Sequence, residues 1–414
     1  MIKQAIILAG GLGTRLREAV PDLPKCMAPV AGRPFLYHVI NYLRQQGITS
    51  FIFSLGYKHE VIEQYLKDDF PTLIYECVIE TEPLGTGGAI RLACKHATET
   101  QVLIANGDTL FKTDLSLLAG FHMAQDADCT LALKPMKDFD RYGMVETDEQ
   151  GHVKSFREKQ YYRQGLINGG LYILNTTRFL AHSLPQKFSF EKDYLEKEVA
   201  NGTLSAQAQD SYFIDIGIPE DYNRAQLELK APPLDLAAVD QSWTLFLDRD
   251  GVINEDKPGS YIFNPEEFVF MEGAPALFKK LTARFKHIIV ATNQRGVGRG
   301  LMTEQTLQSI HDKMKTAVQD AGGRIDAIYY ATSIHNNDPQ RKPNPGMALQ
   351  ARADFPDISL SRSIMIGNNI SDMQFGRSAG MYTIFLTTTN KEIRLPHPDI
   401  DLIFNSLQDF AKAL

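Results

Sequence analysis

The 414-residue sequence contains few cysteines, no excess of basic residues and no long apolar run. Its four cysteines include no CxxC pair, which excludes a disulfide framework and predicts reduced thiols. A net charge of −7 excludes a general nucleic-acid binder, because such proteins need a basic face. The apolar run Ala5–Ala9 is too short for a signal peptide core or a membrane span. We therefore expect a soluble, cytoplasmic protein that binds neither nucleic acid nor membranes.

The remaining composition, 43% hydrophobic and 22% charged, is that of an ordinary globular protein. In the first half, short apolar runs alternate with helical periodicity, as in a doubly wound α/β domain. Buried parallel strands are expected at Ala5–Leu8, Phe51–Leu55, Leu73–Ile79 and Val102–Ile104. Helices are expected at Pro34–Gln46, His59–Asp69 and Gly88–Ala97. The ligand crevice of such a domain lies at the carboxyl ends of its strands.

A second α/β series starts after residue 242. Its strands are expected at Thr244–Leu247, His287–Ala291, Ile325–Tyr330, Ser363–Ile366 and Thr383–Leu386, and its helices include Ala274–Arg284 and Glu304–Ala321. Residues 229–242 lack a consistent apolar period and contain two adjacent prolines, which favours a linker. The sequence therefore predicts two doubly wound α/β domains, at 1–228 and 243–414, joined by a linker at 229–242.

A glycine-rich turn, Leu8-Ala9-Gly10-Gly11-Leu12-Gly13-Thr14-Arg15-Leu16, follows the first predicted strand. Glycines let backbone N–H groups approach a phosphate, and Arg15 adds positive charge there. Lys25 is the next basic residue in an apolar setting. An ordinary βα turn with a surface arginine is an equal alternative, because the spacing of the dinucleotide fingerprint is absent.

Two acidic residues, Asp108 and Asp215, end strands that should open into the same crevice. Two carboxylates and a triphosphate would supply the hard oxygen ligands that Mg²⁺ prefers. Helix capping or a turn is the commoner role of an isolated aspartate, and that alternative stays open. A second glycine patch, Gly85-Thr86-Gly87-Gly88, stands before a predicted helix and would suit a flat base.

Taken in order, these segments resemble those of the sugar-1-phosphate nucleotidyltransferases. The resemblance spans the whole first domain and includes GGLGTRL, PKCMAPVAGRP, LGTGGA, NGD, and Glu158-Lys159 followed by Asn168-Gly169-Gly170. It implies that a sugar 1-phosphate oxygen attacks the α-phosphate of a nucleoside triphosphate and releases pyrophosphate. Within the family the domain is most similar to heptose 1-phosphate guanylyltransferases, which implies GTP and heptose phosphates as partners. The resemblance leaves open whether the chain forms a homo-oligomer.

The same resemblance implies a role for each residue of the crevice. Arg15 and Lys25 would stabilise phosphate charge, and Asp108 with Asp215 would hold Mg²⁺. The nucleotide would lie against Leu8, Gly10, Gly11, Gly13, Thr14, Gly85, Thr86 and Asp108. The sugar phosphate would lie against Tyr142, Gly143, Glu158, Lys159 and Asn168.

In the second half, Asp248 and Asp250 follow the apolar run Thr244–Leu247 and stand two residues apart. Side chains at this spacing share one face of an extended chain. One carboxylate can attack phosphorus while the other protonates the leaving oxygen and then activates water. Mg²⁺ would neutralise the charge gathered there. An Asx turn at the strand end is the alternative, because two aspartates at this spacing are common.

Three further residues follow in the sequence. Thr292 and Asp372 each come after a predicted strand, and Lys342 lies on a proline-flanked loop. Alone, Thr292 suggests a helix cap and Lys342 a solvated charge. Jointly, they resemble the motifs of the haloacid dehalogenase phosphatases. That resemblance implies Asp248 as nucleophile, Asp250 as acid and base, and Thr292 with Lys342 on the phosphoryl group. It also implies Mg²⁺ bound by Asp248, the Asp250 backbone carbonyl, Asn368 and Asp372, and substrate bound by Asn293, Arg299 and Arg341.

The segments FLDRDGVIN, TNQRGVGRG and RKPNPGM are most similar to heptose 1,7-bisphosphate phosphatases, with histidinol-phosphatases next. Tyr330–Arg341 contains no cysteine, so we expect no zinc. Asn368 stands where an acidic residue is usual, and a neutral amide is a weaker Mg²⁺ ligand.

These resemblances together predict a bifunctional, Mg²⁺-dependent enzyme of GDP-heptose synthesis. One alternative is a hexose 1-phosphate uridylyl- or guanylyltransferase fused to a general sugar phosphatase. Another is that the second domain has lost turnover and serves as a sugar-phosphate-binding or oligomerisation module.

Overall fold

The computed structural model describes residues 2–11, 20, 22–230 and 232–414. The chain divides into two compact units, Met1–Ala231 and Pro232–Leu414. Each unit is a sheet covered by helices, with hydrophobic clusters of its own, so the predicted α/β class is confirmed for both. Among the described residues, no helix combines the length and the apolar character that crossing a bilayer requires.

The first unit has strands β1 to β13 at Gln4–Leu8, Pro29–Val30, Arg33–Pro34, Ser50–Leu55, Ile74–Ile79, Gln101–Asn106, Thr109–Phe111, Cys129–Phe139, Met144–Thr147, Val153–Arg157, Tyr162–Asn175, Leu204–Ala208 and Phe213–Asp215. Its helices α1 to α7 are Phe35–Gln45, His59–Asp69, Gly85–Cys94, Leu115–Gln125, Thr176–Ala181, Glu196–Glu198 and Pro219–Glu228. Short 3₁₀ turns lie at Lys25–Met27 and Val199–Asn201, and a π-helical segment lies at Phe190–Leu195.

In the described part of this unit, the main sheet has the order β10-β9-β11-β6-β1-β4-β5, and β8 and β12 extend it beside β11. Strand β1 runs parallel to β4 on one side and to β6 on the other. The chain therefore reverses its winding direction at β1, which is the point where open α/β sheets form their ligand crevice. Leu8 ends β1 opposite Ser54 and Asn106, so the segments after these residues meet at one edge.

Strand β5 differs from its prediction as a buried strand. Its outer residues Ile74 and Ile79 are 41% and 38% exposed. The strand lies at the sheet edge and pairs with β4 alone in the described structure, so it has fewer neighbours to cover it. An apolar run by itself does not distinguish a central strand from an edge strand.

The second unit has strands β14 to β19 at Thr244–Leu247, His287–Asn293, Ala327–Ala331, Ser363–Gly367, Tyr382–Leu386 and Leu402–Phe404. Its helices α8 to α13 are Ala274–Arg284, Arg295–Gly298, Glu304–Asp320, Gly346–Asp354, Ile370–Ala379 and Leu407–Ala413. All strands are parallel in the order β16-β15-β14-β17-β18-β19. The fully buried β14 is central, and the ends of β15 and β17 flank its carboxyl end.

The segment predicted as a linker, 229–242, is in part packed onto the second unit. Val239 is fully buried within the hydrophobic cluster of that unit, and Leu234 and Leu236 pack against the same cluster. Arg284 donates a hydrogen bond to the Leu236 carbonyl at 3.4 Å. The second unit therefore starts before residue 243. A few apolar side chains are enough to pack this proline-containing segment onto it.

Candidate active sites

The two acidic residues singled out in the first unit lie together in the structure. Asp108 follows β6 and Asp215 ends β13, and the antiparallel pair β7–β13 sets Thr109 opposite Asp215. The Ile216 amide donates to the Asp108 carbonyl at 3.1 Å, which ties the two segments together. Although 107 positions apart in sequence, the two carboxylates are therefore brought to one place by strand pairing.

Lys25 lies between these carboxylates. Its Nζ atom is 2.5 Å from Asp108 Oδ2 and 3.2 Å from Asp215 Oδ1. The Gly217 amide also donates to Asp215 Oδ1 at 2.8 Å. Since one ammonium group reaches both acids, a divalent cation can reach both as well, and carboxylate oxygens fit Mg²⁺. Lys25 was expected to face phosphate, and in this structure it neutralises the two acids.

The glycine-rich turn begins at the same sheet edge. A Cβ atom on Gly10 would lie 2.9 Å from Glu80 Oε1 and 3.2 Å from the Gly56 nitrogen, so a larger residue would displace the Glu80 side chain. Leu8 is half-buried and Gly11 is exposed, with open space where its side chain would be. Gly13, Thr14 and Arg15 lie outside the described residues.

The second glycine patch lies inside helix α3, which begins at Gly85, and not before a helix as predicted. Gly87 and Gly88 are buried, and both positions require glycine because Cβ atoms there would overlap the Phe188 ring and the Gln186 carbonyl. The Thr86 hydroxyl donates to Glu191 at 2.8 Å and accepts from the Phe190 amide. Two of the glycines thus serve helix packing, while Gly85 and Thr86 remain exposed.

The residues expected at the sugar phosphate are spread along β9 to β11 and the preceding loop. The Tyr142 ring packs edge-on against Phe213, and burial together with Asp215 raises the pKa of Tyr142 to about 12. Asn168 donates to the Tyr172 hydroxyl at 2.9 Å and accepts from the Gly170 amide. Tyr142 is thus within the electrostatic range of Asp215.

The other three sugar-phosphate residues have less definite surroundings. A Cβ atom on Gly143 would lie 2.5 Å from the Arg157 carbonyl oxygen. The Glu158 and Lys159 side chains are exposed on the loop between β10 and β11.

Glu80, which follows β5 at the crevice edge, was not predicted as a site residue. Its Oε2 atom accepts from the Leu84 amide at 3.0 Å, and Oε1 lies beside the Gly10 backbone. Burial raises the pKa of Glu80. A carboxylate set between the two glycine segments is a candidate for contacting a base. Its position directly after a predicted strand was the available sequence signal.

In the second unit, Asp248 follows the central strand β14 and is 9% exposed. Its amide donates to the Ile366 carbonyl at 2.9 Å, which fixes the backbone beside β17. Burial and the nearby Asp372 raise the pKa of Asp248. The ionised form of the Asp248 carboxylate therefore needs a positive charge beside it.

Lys342 supplies that charge and is not the solvated lysine of the alternative explanation. It is 3% exposed, and its Nζ atom lies 2.8 Å from Asp248 Oδ1 and 2.6 Å from Asp372 Oδ1. Burial alone would lower the pKa of Lys342, but the two carboxylates outweigh it and raise the pKa. The ammonium group and two acids thus form one buried cluster.

Thr292 and Asn293 belong to the end of β15 instead of following it. Thr292 is buried, and its hydroxyl oxygen accepts from Gln294 Nε2 at 2.9 Å. Asn293, expected to bind substrate, accepts from the Lys342 amide at 3.0 Å and donates to the Lys342 carbonyl at 3.1 Å. Its visible role is therefore to hold the loop that carries Lys342.

Asp250 has a different environment from Asp248. Its carboxylate accepts hydrogen bonds from Arg249, Asn254 and Gln294 at 2.9 to 3.2 Å. Burial would raise the pKa of Asp250, but Arg249 and these amide donors lower it. The two aspartates thus have different environments, since Asp248 lies beside the like charge of Asp372 and Asp250 is surrounded by hydrogen-bond donors.

The residues that would hold Mg²⁺ in this unit supply oxygen atoms. Asp248 and Asp372 both reach the Lys342 ammonium group, and Asn368 lines the same cavity. The Asn368 amide nitrogen donates to Thr389, which leaves its oxygen to meet a metal. In the described ranges, no three His, Cys, Asp or Glu side chains form a metal-holding group, so a bound ion would also need backbone, amide or phosphate oxygens.

Gly251 makes room for Asn368. It has φ +77°, and a Cβ atom there would lie 2.0 Å from the Asn368 amide nitrogen. A left-handed backbone and the absence of a side chain are both required at this position.

A cavity of about 280 Å³ opens above these groups. Its outer part is lined by Lys257, Tyr261 and Arg341. Burial and the neighbouring Arg295 lower the pKa of Arg341, and the Arg299 guanidinium lies 5.9 Å from the Tyr261 ring centre. The cavity thus joins a buried acid–lysine cluster to Arg341.

The two sites define a protein with two α/β units, each of which gathers acids and a lysine at the carboxyl edge of its sheet. The nucleotidyl transferase family model matches residues 4–231, and a HAD-hydrolase-like model matches residues 340–410. The chain belongs to the nucleotidyl transferase family, and it carries a haloacid dehalogenase-like second unit.

Two heptose 1-phosphate guanylyltransferases match this chain over almost their full length. A D-glycero-α-D-manno-heptose 1-phosphate guanylyltransferase of Aneurinibacillus thermoaerophilus is 52% identical over 227 residues, covering 55% of this chain and 98% of that protein. The crystal structure of HddC from Yersinia pseudotuberculosis is 40% identical with a TM-score of 0.52, covering 55% of this chain and 100% of its own. The predicted nucleotidyltransferase class is therefore confirmed.

A solved structure also matches the second unit. The D,D-heptose 1,7-bisphosphate phosphatase of B. bronchiseptica, complexed with magnesium and phosphate, is 30% identical and covers 41% of this chain and 96% of its own. Its TM-score is 0.38.

Proposed function

We propose that the first unit transfers a guanylyl group from GTP to heptose 1-phosphate. The observation that carries this proposal is the Asp108–Lys25–Asp215 cluster at the switch point of the sheet. The 52% identity to a heptose 1-phosphate guanylyltransferase supports the sugar and the nucleotide. Mg²⁺ bound by the two aspartates would neutralise charge on the triphosphate. The chain itself contributes positioning of the two reactants and cationic groups near them.

Glu80 supports guanine as the base. Guanine presents an N1–H and a 2-amino group side by side, and one carboxylate can accept from both. Glu80 stands between Gly10 and the start of α3, where its Oε1 atom faces the glycine turn. Uracil and thymine offer a single N–H on that edge, so a carboxylate there favours guanine.

We expect Glu80→Gln to reduce the preference for GTP over ITP, which lacks the 2-amino group, by about 10-fold to 100-fold in kcat/KM. The amide keeps the size of the side chain and loses one acceptor. The measurement is pyrophosphate release with each nucleotide at saturating sugar phosphate.

Glu82→Gln is the matched control, because Glu82 is an exposed carboxylate on the same loop. An unchanged GTP-to-ITP ratio in Glu80→Gln would remove this residue from base recognition.

We further propose that the second unit is a phosphatase. Asp248 attacks phosphorus and forms an aspartyl phosphate, while Asp250 gives a proton to the departing sugar oxygen. Water then attacks the aspartyl phosphate, Asp250 takes its proton, and inorganic phosphate leaves Asp248 unmodified. Lys342 and the Thr292 hydroxyl hold the phosphoryl oxygens. Mg²⁺ at Asp248 and Asp372 would offset the gathered negative charge.

Arg341 and the two arginines near it support a bisphosphate substrate. Arg341 lines the cavity, and Arg295 and Arg299 lie close enough to affect its pKa. Guanidinium groups bind phosphate through parallel hydrogen bonds, so a second phosphate at the far end of a sugar has partners here. Removal of the 7-phosphate from heptose 1,7-bisphosphate would leave the 1-phosphate that the first unit requires.

A second candidate keeps the first unit as proposed and makes the second a sugar-phosphate-binding module. The neutral Asn368 at the metal position favours it, since a carboxylate would bind Mg²⁺ more strongly. Supplying heptose 1-phosphate and GTP directly tests the transferase, and phosphate release from heptose 1,7-bisphosphate without GTP tests the phosphatase. Nucleotide-sugar formation with no phosphate release would favour the binding module.

A further inference from the structure

Arg249, between the two aspartates, has the largest side chain among the fully buried residues described. It is 1% exposed, so the rest of the protein covers its side chain almost completely. Its Nε and Nη2 atoms donate to the Asp250 carboxylate at 2.9 to 3.2 Å, in the forked geometry that guanidinium and carboxylate groups favour. Arg249 therefore acts on Asp250 from the protein interior.

The remaining donors of Arg249 have partners of their own. Nη1 donates to His311 Nε2 at 3.3 Å, and Nη2 donates to Gln294 Oε1 at 3.1 Å. His311 is 1% exposed on α10, 62 positions away, and burial followed by the Arg249 charge lowers its pKa to about 3. A neutral imidazole that accepts at Nε2 is the form that fits beside a guanidinium group.

Gln294 connects this pair to the catalytic groups. Because its Oε1 atom accepts from Arg249, its Nε2 atom faces the other way and donates to Asp250 at 3.0 Å and to Thr292 at 2.9 Å. A reversed amide would set oxygen against the Asp250 carboxylate. Arg249 thus fixes the orientation of Gln294, and Gln294 spans the acid and the phosphate-binding hydroxyl.

We propose that Arg249 and His311 are positioning residues that hold Asp250 and Gln294 in place for proton transfer to the leaving group. The proposal rests on the proposed phosphatase function of this unit. His311 keeps the guanidinium in plane with Asp250 by occupying its far nitrogen. Loss of either contact lets the acid rotate away from the leaving oxygen, although no substrate contact is lost.

The test compares two substrates that differ in their need for an acid. Phenyl phosphate needs a proton on its leaving oxygen much more than p-nitrophenyl phosphate does, and kcat/KM reports the steps up to the aspartyl phosphate. For His311→Met and Arg249→Gln we expect a fall of about 10-fold to 100-fold with phenyl phosphate, within the range that general acids contribute. With p-nitrophenyl phosphate the fall should stay below about 3-fold, because the acid is dispensable there.

His311→Gln is the matched variant, since its amide oxygen can still accept from Arg249, and it should recover most of the phenyl phosphate activity. Melting curves on the full chain show whether each variant folds. If Arg249→Gln does not fold, the comparison of His311→Met with His311→Gln still tests the proposal. An equal fall with both substrates, or no fall in His311→Met, would overturn the positioning role. A wild-type chain that releases phosphate from neither aryl substrate nor from heptose 1,7-bisphosphate would instead overturn the phosphatase assignment.

Discussion

Replacing Asp248 with asparagine is expected to lower phosphate release by about 10⁴-fold or more, because an amide cannot form the aspartyl phosphate. The fold should survive, since asparagine keeps the size of the side chain and can still accept from Lys342. The second unit carries its own sheet and hydrophobic clusters, so nucleotidyl transfer by the first unit should stay within about twofold of wild type.

The measurement is phosphate release from heptose 1,7-bisphosphate alongside pyrophosphate release from GTP and heptose 1-phosphate. Asp357→Asn is the matched control, because Asp357 pairs with Lys286 and His287 at the surface of the same unit. That control should retain both activities. Phosphate release by Asp248→Asn close to the wild-type rate would show that another group is the nucleophile.

Asp215→Asn is expected to give the reverse pattern, with nucleotidyl transfer lowered by about 10³-fold and phosphate release unchanged. The substitution removes one of two carboxylates that can reach a common cation, and it leaves Lys25 paired with Asp108 alone. Metal affinity and the placement of the triphosphate should both suffer. Raised Mg²⁺ should restore part of the activity, because the weakened site still has Asp108.

Pyrophosphate release at increasing Mg²⁺ concentrations measures this effect. Asp126→Asn is the control, since Asp126 is an exposed partner of Arg178 in the same unit, and it should behave as wild type. An Asp215→Asn variant with full activity at low Mg²⁺ would exclude Asp215 as a metal ligand.

Local periodicity was enough to predict much of the fold. Helices His59–Asp69 and Ala274–Arg284 and strand Thr244–Leu247 have the limits expected from the sequence. In His59–Asp69, Ile62 and Leu66 are both fully buried at a spacing of four, which is the signal that a helical period provides. Asp248 and Asp372 could be paired in advance because both follow strands of one parallel sheet.

What the sequence did not reveal depends on contacts between distant segments. Gly87 must lack a side chain because the ring of Phe188, 101 positions further on, occupies the space beside it. His311 meets Arg249 only through the packing of α10 against the sheet side of the unit. Neither contact leaves a periodic trace in the chain. Asn293 was recognised as part of the site, but its bonds to the Lys342 backbone follow from loop geometry.

The most direct test of the two-step account supplies the full chain with heptose 1,7-bisphosphate, GTP and Mg²⁺. We expect inorganic phosphate, pyrophosphate and GDP-heptose in equal amounts, with no GDP-heptose from either Asp248→Asn or Asp215→Asn alone. Mixing the two variants should restore GDP-heptose, since the released heptose 1-phosphate passes from one to the other. Absence of a nucleotide-heptose with every nucleoside triphosphate, together with efficient turnover of a different sugar phosphate, would contradict the account.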